Sequence, residues 1–94
     1  MQITIGRIVH YRLSSEDAEN INRWRSTTQL TLKDAHMGNI AQAGDVLPML
    51  VVRVWGGGSV NGQVFLDGND SLWVTSVGEG DGMRNWSWPV KQAT

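Results

Sequence analysis

The sequence contains no cysteine, which removes disulfide stapling, thiolate metal sites and a cysteine nucleophile together, and fits a reducing compartment. Charge is scarce too. The formal net charge is −1, so no long-range field steers the chain toward DNA, RNA or an anionic membrane. No apolar run approaches the roughly twenty residues of a spanning helix, and Met1 opens a strand-like segment rather than a signal peptide. The two histidines, His10 and His36, have neither HxxxH nor HExxH spacing. The D-G-N-D turn lacks the alternating ligands and distal glutamate of a calcium loop. The triple glycine at 56–58 lacks the lysine of a phosphate-cradling loop. These absences predict a non-enzymatic protein without metal or cofactor, a single cytoplasmic domain over residues 1–94. A chain this short buries only about two-thirds of its unfolded surface, so its core is thin.

What is present is unusual in kind. Five tryptophans and eleven glycines stand beside one tyrosine and one phenylalanine. Tryptophan buries a large face while keeping one polar handle, which suits both a thin core and a binding hot spot. Trp24 and Trp55 are read as core filling. For Trp73, Trp86 and Trp88 the two roles weigh equally.

Along the chain, residues 3–13, ITIGRIVHYRL, are rich in β-branched residues and read as a strand. In SSEDAENINRWR, Ser14 or Ser15 can cap a helix, acidic residues fill the first turn, and Ala18, Ile21 and Trp24 fall at helical spacing. Residues 26–45 have no sustained period and read as a loop or short irregular strand followed by a turn. VLPMLVVRVW is a nearly continuous apolar strand. Strict alternation puts Leu50, Val52 and Val54 on one face and Met49, Val51, Arg53 and Trp55 on the other. Both faces then need cover, one from the helix and one from a second subunit. GGGS, VNGQVFL, DGND and SLWVTSV continue as a meander, and WSWPV closes it. The expected class is mainly β with one helix (α+β): a small, strongly bent antiparallel sheet or a five-stranded barrel-like domain.

The meander carries the candidate chemistry. Odd positions gather Asn61, Gln63, Phe65, Trp73 and Thr75 on one face, with Arg53 and Trp55 beside them. An amide donates and accepts at once, which matches the mixed edge of a purine. Stacking surfaces and a cation complete what a flat anionic ligand needs. Bonds to loop backbone or to a neighbouring subunit are an equal alternative for the amides, since unpaired burial costs about 1–3 kcal/mol each. Asn20 and Arg23 lie one turn apart and can meet a phosphate, although a surface pair between Arg23 and Glu19 is the plainer reading. His36, Gly38 and Asn39 form a polar turn. His10 and Tyr11 point to opposite strand faces. Trp86 and Trp88 clamp a base or pack the end of the sheet, with Pro89 favouring packing.

TIGRIVHYRLS, D-A-E-N-I-N-R, H-M-G-N, A-G-D-V-L-P, V-N-G-Q-V-F-L-D-G-N-D-S-L-W-V-T-S and W-S-W-P together resemble a family of small phage and prophage proteins. The chain is similar to phage anti-defence sponges of the anti-CBASS and anti-Thoeris type. The resemblance implies a homo-oligomer, a dimer or tetramer, that sequesters a cyclic dinucleotide or cyclic ADP-ribose signal in the host cytoplasm without cleaving it. It implies no DNA, RNA or membrane partner. It assigns ligand contact to Tyr11, Asn20, Arg23, His36, Asn39, Asn61, Gln63, Trp73 and Trp88, and leaves residues 26–35 without a counterpart. The rival expectation is an interaction module that blocks a host protein, or a minor phage structural protein.

Overall fold

The computed structural model describes residues 2–31 and 39–90. Five strands, β1 (Ile8–Arg12), β2 (Val46–Val54), β3 (Val60–Phe65), β4 (Ser71–Val77) and β5 (Trp86–Ser87), form one antiparallel sheet in the order β4-β3-β2-β1-β5. One helix, α1 (Ser15–Thr31), joins β1 to the segment before β2. The class is therefore α+β, mainly β. The sheet is not closed into a barrel. It is tied across one corner by a single parallel bridge between Glu79, just past β4, and Trp86 in β5. There Gly80 N donates to Trp86 O at 2.9 Å, and Trp86 N donates to Gly78 O at 3.0 Å.

The strand expected over residues 3–13 begins only at Ile8. Gly6, at φ 92°, takes a left-handed conformation that L side chains rarely adopt, and Arg7 N closes a turn onto Thr4 O. Ile5 is thrown outward and Ile3 enters the core. Pro48 is tolerated within β2 for a definable reason. Its neighbours Leu47 and Met49 carry the register with β1, while pairing with β3 starts only at Met49. No ladder donor is lost at position 48.

One face of the sheet holds the core: Val9, Tyr11, Met49, Val51, Val60, Val64, Val74 and Trp86, with Leu13, Val77 and Ile21 of α1. Gly62 lies among them because only hydrogen fits. A Cβ there would stand 2.6 Å from Met49 Cγ and 2.8 Å from the Leu50 carbonyl oxygen.

The helix starts where its chemistry dictates. Asp17 N donates to Ser14 Oγ and Ser14 N donates to Asp17 Oδ2, each at 3.0 Å, a reciprocal cap. Its end differs from the sequence expectation, for α1 continues through residues 26–31, which read as loop. Low-propensity Ser and Thr are overridden by tertiary anchors one turn earlier. Asn22 brackets Ala41, donating to its carbonyl at 2.9 Å and accepting from its amide at 3.0 Å. Arg25 grips Asp70 with two bonds of 2.7 Å and also donates to Asn39 O, while Trp24 Nε1 donates to Asp70 at 3.1 Å. This ion pair is nearly buried. The bond to Arg25 holds the Asp70 carboxyl below the usual range, against the opposing effect of burial. Arg23 and Arg25 therefore stand mid-helix.

Candidate ligand-binding face

The other face of the sheet looks outward. Register places Ile8, Leu50, Gln63 and Trp73 in one row across β1, β2, β3 and β4. Each is out of phase with a buried neighbour on its own strand, so all four side chains leave the core side.

Two irregularities reshape the end of this face. The β2–β3 register shifts between Val51 and Arg53, and the β3–β4 register shifts between Val60 and Gly62. The extra residue in β2 reverses the alternation expected from sequence: Arg53 pairs with Asn61 and faces outward, while Val54 pairs with Val60 and packs against the core. In β4 the irregularity leaves Ser76 at φ 53°, a rare conformation for a residue with a side chain. Asn61 fills the gap between them. Its Oδ1 accepts from Trp55 Nε1 at 3.0 Å and from Ser76 N at 2.8 Å. The Arg53 guanidinium carbon lies 4.1 Å from the Trp55 ring centroid, a cation–π stack.

The result is an open cleft of about 580 Å³ lined by Ile5, Val52, Arg53, Val54, Asn61 and Trp73. It offers the half-exposed ring of Trp73, the Asn61 amide nitrogen and one cation. Arg53 has no carboxylate partner among the described residues, whereas Arg25 is committed to Asp70. Gln63, in the next row, has a buried Oε1 without a hydrogen-bond partner.

The remaining expected contacts are scattered. Tyr11 is fully buried on the opposite face, where its hydroxyl donates to Asp17 Oδ2 at 2.6 Å. Burial, then that bond, pushes its phenol well above the ordinary range. It is part of the core and the helix cap, and no ligand on the outward face reaches it. Asn20 and Arg23 sit together on the exposed side of α1, Arg23 Nη1 donating to Asn20 Oδ1 at 3.3 Å. Asn39 is engaged with Asp67 through its side chain at 2.7 Å and its backbone amide at 3.1 Å. Trp88 meets Trp86 edge to face at 5.5 Å and lines a second open cleft with Gly6, Arg7, Ile8 and Pro89. His36 lies outside the described residues. Of the eight that are described, Asn61, Gln63 and Trp73 come together on the outward face, joined by Arg53 and Trp55, and Asn20 and Arg23 form a separate pair on α1.

Among the described residues no group of three or more histidine or acidic side chains is placed to hold a metal ion, and no helix is long and apolar enough to cross a membrane. No protein-family model, curated protein or solved structure matches the chain.

Proposed function

We propose that this protein is a non-catalytic binder that sequesters a cyclic nucleotide immune signal in the cytoplasm of a phage-infected cell, in the manner of the anti-defence sponges it resembles. The observation that supports the reading is the cleft at the paired bulges. Trp73 presents a ring to a base, Asn61 Nδ2 a donor to its edge, and Arg53 a charge free for phosphate. The mechanism is stoichiometric, since a signal held at sub-micromolar Kd, about −8 kcal/mol or tighter, is kept from its effector. Cleavage of a phosphodiester needs a positioned nucleophile and stabilised developing charge. The cleft residues recognise a nucleotide without supplying either.

The test is a thermal-shift and calorimetric screen against cyclic dinucleotides and cyclic ADP-ribose isomers. One of them should bind, and Trp73→Ala and Arg53→Ala should each weaken it roughly tenfold or more. After heat denaturation the ligand should return intact on chromatography. No shift from any candidate, or a linearised product accumulating with time, overturns the proposal. A second reading, a module that occludes a host protein, is favoured by a different observation: Ile8, Val52, Phe65 and Trp73 leave a broad apolar surface. Its mark is a stoichiometric complex with that partner that forms without any nucleotide.

A further inference from the structure

We infer that the cleft beside the triple glycine is a guanine site, and that the sequestered signal is a cyclic dinucleotide carrying guanine. The second half rests on the sponge reading; the first does not. This cleft, of about 260 Å³, lies among Ile3, Val54, Trp55, Gly56, Glu79 and Trp86. It falls just short of the roughly 300 Å³ at which sites for a whole drug-sized ligand begin, so it holds one ring system rather than a dinucleotide.

Its lining suits a flat ring. Trp86 is buried at its base, held there by Nε1 donating to Gly58 O at 2.8 Å. Trp55 carries the Arg53 guanidinium 4.1 Å from its ring centroid, yet it stays 41 % exposed and lines this cleft. Glycine supplies the rest. Gly57 at φ 73° and Gly58 at φ 81° need the left-handed region, but Gly56 keeps a helical conformation, and a Cβ there would meet nothing within 4 Å. Neither backbone nor packing requires glycine at 56. Bare backbone at that point lets a ring approach closely.

Glu79 selects the ring. Its backbone is fixed by the bridge to Trp86, while its carboxylate makes no hydrogen bond or ion pair among the described residues. An ionised carboxylate accepts and never donates, so it favours an edge with two donors side by side. Guanine presents N1–H and its N2 amino group in that way, and bonds to an ionised acceptor are the strong kind. Adenine sets a bare acceptor, N1, beside its amino group, which a carboxylate repels. Gln2, also at the cleft and without a partner, offers an amide N–H to guanine O6. The neighbouring cleft completes the argument. Val54 lines both this cleft and that of Trp73, and the Arg53–Trp55 stack stands between them. Two bases on one ring of two phosphates match two clefts with a cation between. Cyclic ADP-ribose, with one base, matches only one.

The experiment has two arms. In isotope-labelled protein, GMP at millimolar concentration should shift the backbone amide resonances of Gly56, Gly57 and Gly58 and the indole N–H of Trp55, and AMP should not. Glu79→Gln, at an exposed position, should abolish the GMP shifts while circular dichroism stays unchanged. In calorimetry, cyclic di-GMP or the mixed guanine–adenine dinucleotide should bind at least about tenfold more tightly than cyclic di-AMP, and Glu79→Gln should remove that preference. Gly56→Val, which places a side chain on the bare backbone, should weaken binding in both arms. Unmoved glycine resonances, or shifts that survive Glu79→Gln, overturn the guanine site and leave the Trp73 cleft and its reading in place. GMP shifts without tight binding of any cyclic dinucleotide sustain the site and overturn the signal assigned to it.

Discussion

Tyr11 shows how one side chain serves core and helix start at once. Its ring fills the centre of the core face, and its hydroxyl reaches the carboxylate that completes the Ser14–Asp17 cap. Tyr11→Phe removes that donor from a buried carboxylate and should cost about 1–3 kcal/mol by urea denaturation. The pH dependence has a definite sign. The folded phenol is raised above its unfolded value near 10, so the native state holds the proton more tightly. The contribution is whole below about pH 10 and is lost as pH rises toward the folded value. Because Tyr11 is the sole tyrosine, tyrosinate absorbance should appear only as the fold is lost in alkali. Early titration without unfolding would show that the phenol is not buried as described. Tyr11→Phe should flatten the alkaline limb.

Among the elements, α1 is held less by an apolar stripe than by polar anchors. Among its described side chains the buried apolar ones are Ile21 and Ala18, whereas Asn22 and Arg25 each make more than one bond outside the helix. Asp70→Asn leaves the Arg25 charge nearly buried and unpaired, and should destabilise the protein by about 3 kcal/mol. The Asp70 carboxyl is held below its unfolded value by Arg25, so its contribution is present above about pH 4 and lost as pH falls through the folded value. Acid titration followed by circular dichroism should therefore show a shallower loss of stability in Asp70→Asn than in the parent. Equal acid slopes would remove Asp70 from the account of helix docking.

For the whole molecule, a sheet with one covered and one bare apolar face is stable in proportion to what covers the second. If a second copy does so, folding is linked to protein concentration. Raising the concentration from about 1 to about 100 μM should lift Tm by several degrees, and Leu50→Glu should abolish that dependence. A Tm independent of concentration in the parent would argue for a monomer. Such a monomer would leave the outward face to a different protein.

Local physics settled much of this in the sequence. Ser14 or Ser15 specifies a cap, a nearly continuous apolar run specifies β2, alternation specifies β3 and β4, and D-G-N-D specifies the turn between the last two. Asn61 and Gln63 share a face because alternation along β3 requires it, and the pairing of Gln63 with Trp73 adds the third expected contact. Tertiary structure decided the rest. The register shift at Val52 depends on how β2 pairs with β3, so alternation counted along β2 alone misplaced Arg53 and Val54. The extension of α1 through residues 26–31 depends on Asp70 and Ala41, far along the chain, against local propensity. Tyr11 shares a strand face with buried Val9 and Leu13, which alternation already implies, while the bond from its hydroxyl to Asp17 is a tertiary contact that spacing does not reveal. Whether the five strands close was likewise undetermined by their number. Hydrogen bonding between the outermost strands is a long-range choice, and here it amounts to one bridge between Glu79 and Trp86.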